Sequence, residues 1–143
     1  MPYREEVLAT RRKWIDYLMA WGRRKTKGQL DRGHGKRCCL GHGAKVIGCE
    51  MKSDRGWITY DEEDQVAPDR LIEEAGLLNA DGEFQNPNSI EVDGKIIDSL
   101  TSLNDSTDWS PRQIGEFLLQ YIEGGGPFHP LSEYRSKPQE TST

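Results

Sequence analysis

Ser110-Pro111-Arg112-Gln113-Ile114-Gly115-Glu116-Phe117-Leu118-Leu119-Gln120-Tyr121-Ile122 is the most fully specified element of the chain. Ser110 suits a helix N-cap. Pro111 presets φ at the first helical position, where its missing N–H costs nothing, and Gln113 can reach back to close a capping box. Ile114, Phe117, Leu118, Tyr121 and Ile122 then recur on one face, and Gly124-Gly125-Gly126 ends the element. A helix apolar on one side must bury that side, so the rest of the chain has to supply its partner.

Outward from this helix the candidates are short. From Glu5 to Trp21, Val7, Trp14, Leu18 and Trp21 fall at helical spacing, with Ile15 and Tyr17 widening the stripe, and Gly22 stops it. Trp14 and Trp21 read as core anchors rather than as stacking platforms for bases. Cys39 to Gly48 reads as a short helix weakened by Gly41 and Gly43, its first turn carrying the cysteines. Pro68 opens a further helix, Asp69 to Ala75, closed by Gly76. Ser89 to Val92 and Lys95 to Ile97 flank the turn dipeptide Asp93-Gly94 and predict a β-hairpin. Between Met51 and Asp64 the chain reads as loop, with a short strand at Trp57-Ile58-Thr59-Tyr60 and an acidic run, Asp61 to Asp64, behind it. Asn104-Asp105-Ser106 reads as turn and cap chemistry ahead of the last helix.

These elements predict an α+β fold, with three or four helices packed on a small antiparallel sheet or hairpin and an extended C-terminal tail. At 143 residues one domain is expected. Its span is 1–126, followed by a polar tail, 127–143, whose core contacts are expected only at Phe128 and Leu131. A 34% apolar content fits a thin core. No window has the apolar length of a membrane span or a signal peptide, and three cysteines do not make a secreted disulfide framework, so a cytoplasmic protein with reduced thiols is expected.

Charge is divided along the chain. Residues 4–37 hold 11 Lys/Arg against 4 Asp/Glu, a net +7, and the remainder holds 8 against 20, a net −12. Such a split fits either an anion-binding face or two solvated halves that attract each other. An acidic whole is not the signature of a nonspecific nucleic-acid binder.

The chemistry-bearing stretch is Lys36-Arg37-Cys38-Cys39-Leu40-Gly41-His42. A thiolate needs a positive neighbourhood, so Cys38 and Cys39 are candidates for a nucleophile, a metal ligand or the buried floor of a site. A cysteine enzyme would draw on Cys38 or Cys39, on His34 or His42 as base, and on Asn104 or Asp105 to orient it. His34, Cys38, Cys39, His42 and Cys49 lie within sixteen residues, but adjacent cysteines diverge and no Cys-x-x-Cys knuckle is present; no metal or other cofactor is expected. For an anion, Arg23, Arg24, Lys25, Lys27, Arg32, Lys36 and Arg37 surround Gly28, Gly33 and Gly35 ahead of the helix start at Cys38, although no Walker or dinucleotide fingerprint occurs. Arg24, Lys25, Lys27, Arg37, Asn104 and Asp105 are the candidate ligand-binding residues, and a role for Asp105 requires that it face Cys38.

Trp14, Leu18 and Gly22, then Gln29-Leu30, Cys38-Cys39-Leu40-Gly41, Trp57, the helix from Pro68 to Leu77, and Leu103-Asn104-Asp105 before a helix ending in Ile122-Glu123 form a combination. It resembles an uncharacterised family of small bacteriophage proteins. The resemblance spans residues 14–123. Family members usually follow Cys-Cys-Leu-Gly with an aliphatic residue, where this chain has His42. The resemblance implies a phage accessory protein acting on host machinery or immunity in the host cytoplasm, and supplies no reaction.

The expected function is therefore a non-catalytic accessory protein that binds an anionic host target, either a nucleotide-like signal or a partner protein, to counter host defence. A cysteine-dependent enzyme acting on a host molecule is the alternative. Another is an inhibitor whose acidic face, Asp61 to Asp64, mimics nucleic acid. Assembly as a homo-oligomer is compatible with this class; a membrane partner is not expected.

Overall fold

The computed structural model describes residues 2–21, 25–33, 37–55 and 57–138, with Trp21 described by its backbone alone. In chain order the elements are α1 (Arg4–Trp21), α2 (Cys39–Val46), β1 (Met51–Asp54), β2 (Trp57–Tyr60), α3 (Asp69–Ala75), β3 (Ile90–Val92), β4 (Lys95–Ile97), α4 (Leu100–Asp105) and α5 (Pro111–Leu119), followed by a 3-10 turn at Leu131–Glu133. The fold is α+β. Its strands form two separate antiparallel hairpins, β1-β2 and β3-β4.

α5 begins as its sequence dictates. Gln113 N donates to Ser110 Oγ at 3.2 Å and Ser110 N donates to Gln113 Oε1 at 2.8 Å, closing a box that contributes about 1 kcal/mol. The helix stops at Leu119, so Tyr121 and Ile122 reach the core from the turns that follow. α1 and α5 pack antiparallel: Gly115 lies against Met19 and Leu18 near the end of α1, whereas the Ile122 carbonyl meets Arg11, two turns nearer its start. Trp14, Ile15 and Leu18 from α1 and Ile114, Phe117 and Leu118 from α5 are buried together with Leu40, Leu71, Leu100 and Leu103.

Both glycines inside α2 are there for packing. A methyl group at Gly41 would collide with the Leu30 carbonyl, and one at Gly43 would lie 2.9 Å from both Leu71 and Trp14. Trp14 Nε1 donates to Cys39 O at 2.9 Å, which seats α2 across the middle of α1. α3 ends at Gly76, whose left-handed φ of 71° supplies the cap.

Two segments depart from the sequence expectation. Met51–Asp54 is a strand rather than loop; all four of its residues are exposed, so no alternation marks it. Asn104 and Asp105 belong to α4, capped by Ser99 through its bond from Ser102 N at 3.0 Å, rather than to a turn. After Gly126 the chain joins the core at Phe128 and Leu131, as expected, and continues along α1: Arg4 donates to the carbonyls of Leu131 and Tyr134, each at 3.0 Å. No described helix is long and apolar enough to cross a membrane.

Candidate functional site

The N-terminus of α2 is the meeting point of the sequence motifs. Cys38 is its N-cap, with Sγ accepting from Gly41 N at 3.3 Å, a bond a serine would ordinarily make. Cys39 N donates to Asn104 Oδ1 at 3.2 Å, and Cys39 Sγ faces Leu100 O at 3.9 Å. Asn104 in turn donates through Nδ2 to Thr26 O at 2.7 Å and to Asp105 Oδ1 at 2.9 Å. Asp105 Oδ1 also accepts from Gly28 N at 3.0 Å. One amide and one carboxylate thus join the basic loop, α2 and α4, and Asp105 does face the Cys38 region.

The cations of that loop divide into two kinds. Lys25 Nζ donates to Thr107 O at 2.7 Å and is half-buried; burial, and then Lys27, pull its pKa down. Lys27 is exposed and meets Asp108 at only 3.8 Å. Arg37 lies apart from both. Its Nε donates to Asp31 Oδ2 at 2.9 Å beside Tyr60, whose hydroxyl donates to the same oxygen at 2.6 Å. That buried triad locks the strand end of β2 to the loop. Arg23, Arg24, His34 and Lys36 lie outside the described residues.

The thiols are held in their unreactive form. Burial pushes Cys38 up to about 12 and Cys39 well above its ordinary value, with the Asp105 carboxylate adding to both shifts. Lys25 opposes the shift of Cys39 without offsetting it. Cys49 is likewise pushed up to about 12 by burial and by Asp61. His42 is fully buried one turn after Cys38, its ring edge-on to Tyr17 at 5.3 Å between centroids. Burial, then the Arg37 charge, lower its pKa to about 4. A thiolate and a basic imidazole at neutral pH are both disfavoured by these surroundings. Among the described residues no three of His, Cys, Asp and Glu form a metal-ligand set.

Between Cys38, Cys39, Gln65, Thr101 and Asp105 lies a cavity of about 10 Å³, room for one water molecule. The acidic run is partly absorbed by local structure. Asp61 Oδ1 accepts from Glu50 N at 2.6 Å and Glu62 meets Lys52 at 3.7 Å. Two residues of consequence carry little signal in the sequence. Asp31 anchors Arg37, and Arg11 is fully buried. The only signal for Arg11 was its place on the apolar side of α1, one turn before Ile15. Compared with family models, curated proteins and solved structures, the chain finds no match.

Proposed function

We propose that this chain is a non-catalytic accessory protein that binds an anionic target through the basic loop after α1. The observation that carries this reading is the bracing of that loop. Asn104 and Asp105 hold its backbone at Thr26 and Gly28, so Lys27 projects from a fixed support and little ordering entropy remains to be lost on binding. The burial of both thiols supports the absence of a covalent step. Among the described residues the cavity beside the loop measures only about 10 Å³, which suits an acidic protein surface laid across it better than an engulfed nucleotide. On the resemblance to the phage family, that surface belongs to a host protein in the host cytoplasm, and its capture serves to counter host defence.

Titration of the labelled protein with a polyglutamate peptide tests this. Binding should weaken steeply with salt and fall about tenfold in Lys27→Glu, while Arg112→Glu, an exposed reversal on α5, leaves it unchanged. Equal loss in both variants would reduce the effect to net charge and defeat the proposal.

A further inference from the structure

At the opposite end of α1 the molecule carries a groove of the opposite sign. A cavity of about 290 Å³ opens between the start of α1, α3 and the 3-10 turn. Ile72 and Leu77 form its apolar floor, the Tyr134 ring one wall, and Glu73, Glu133 and His129 its polar rim, with no lysine or arginine among the described residues that line it. Glu133 is exposed, and among the described residues it pairs with His129 Nδ1 at 3.4 Å. The walls are fixed. Arg4 binds the carbonyls on either side of Glu133, those of Leu131 and Tyr134, and His129 N donates to Gly76 O at 2.9 Å. An apolar floor with carboxylates at the rim fits a cation on an aliphatic stem, whose methylenes cover the floor while the charge stays at the wet edge. A second lobe, about 440 Å³, continues past Tyr3 but is lined by Arg135, so the cation belongs in the first.

The chain itself owns such a cation, in a place from which it cannot reach this groove. α1 has 18 residues and is about 27 Å long. The groove lies beside Pro2, just ahead of its first turn, and the basic loop is tied to Asp105, Thr107 and Asp108, just ahead of the α5 start that packs on the far end of α1. Complementary charges at opposite ends of one rigid helix can meet each other only between molecules.

We infer that two copies associate head to tail, the Lys27 loop of one entering the groove of Glu73 and Glu133 on the next. The interface is heterologous, so each copy keeps one donor loop and one acceptor groove, and the assembly grows into a ring or a short filament. The inference shares with the proposed function the premise that the loop is a binding surface, but it adds a groove that premise does not use. An anionic target and the groove then compete for the same loop.

Sedimentation of the full chain from micromolar to submillimolar concentration, at low and high salt, tests it. The wild type should associate at low salt and dissociate at high salt. Lys27→Glu and Glu133→Lys should each weaken self-association about tenfold or more. Lys27→Ala and Glu133→Ala, mixed, should form a dimer of one copy each and nothing larger, because the first retains an intact groove, the second an intact loop, and the two neutralised sites do not attract each other. Circular dichroism checks that these exposed substitutions leave the fold in place. A wild type that stays monomeric throughout overturns the inference, as do association that survives either substitution and a mixture that forms no dimer. A monomeric wild type whose groove binds a lysine peptide overturns it in favour of a foreign basic partner. Glu133→Lys leaves the loop untouched, so loss of polyglutamate binding to the loop in that variant counts against the proposed function and not against the groove.

Discussion

Arg11 Nε donates to the carbonyl oxygen of Ala75 at 2.6 Å, which ties a fully buried guanidinium to the last turn of α3. The same side chain donates to Ile122 O at 2.9 Å, His129 O at 2.8 Å and Gly76 O at 3.4 Å, and its carbon lies 4.4 Å from the Phe128 ring centroid. Its partners are the carbonyl ends of α3 and of the turns after α5, where the negative ends of the helix dipoles gather. A cation is neutralised here by dipoles instead of a carboxylate. Burial still lowers its pKa to about 10, which leaves it charged at neutral pH. Arg11→Met keeps the stem but strands these carbonyls, and should lower unfolding free energy by about 3 kcal/mol or more. Urea unfolding checks this. A loss below about 1 kcal/mol would mean that water replaces the guanidinium without cost.

His42 makes stability depend on pH in the mildly acidic range. Its folded pKa is lowered from 6.5 to about 4, so below pH 6.5 the unfolded chain binds a proton that the folded one refuses. Its contribution is complete above pH 6.5 and is lost as pH falls towards 4, with the sign of a group that binds more protons when unfolded. The loss amounts to about 3 kcal/mol over the whole window. His42→Leu should flatten the profile between pH 6.5 and 5, whatever it does to stability at pH 7. An unchanged slope in that variant would assign the acid sensitivity to the carboxylates.

Helix α5, α3 with its glycine cap and the β3-β4 hairpin were legible because each carries its start and stop signals within a few residues of its apolar pattern. α4 was not, since six residues hold too little of a period, and Ser99 and Ser102 resemble any polar loop. Cys38 and Cys39 were visible as a motif, but their chemistry depends on burial, which the cations written beside them do not predict. Arg37 turns to Asp31 and Tyr60, and Lys25 to a backbone carbonyl, so neither generates a thiolate. Arg11 shows the same limit: a charged residue on a helix reads as a solvated face until the carbonyls that surround it are known.

Asn104 holds three elements through one amide. Asn104→Ala leaves the Cys39 N–H and the Thr26 carbonyl buried without this partner, and should cost about 2 kcal/mol or more. The effect should be local first. Hydrogen exchange at Cys39 and Gly28 should speed up more than exchange in α5, because the loop loses its brace before the α1-α5 core opens. Uniform acceleration across the chain would mean that the site has no independent stability. Asn104→Asp should be worse than alanine, since it places a second carboxylate against Asp105 and removes the donor to Thr26.

The buried thiols should be slow to react in the folded protein, and two measurements check this. Cys38 and Cys49 have folded pKa values near 12 against 9 for the unfolded chain. Above pH 9 the unfolded state releases protons that the folded state keeps, so their contribution is complete below pH 9 and lost as pH rises towards 12. At pH 8 an aromatic disulfide reagent should therefore label the native protein only as fast as it opens, and all three cysteines together once urea unfolds it. Cys38 also has a mechanical role that separates cap from nucleophile. Cys38→Ser retains an acceptor for Gly41 N and should be as stable as the wild type, whereas Cys38→Ala loses the cap and should cost about 1 kcal/mol. Rapid labelling of one native thiol, with serine and alanine equally tolerated at position 38, would mean that the sulfur is exposed and ionisable, and that its place ahead of α2 is that of a nucleophile.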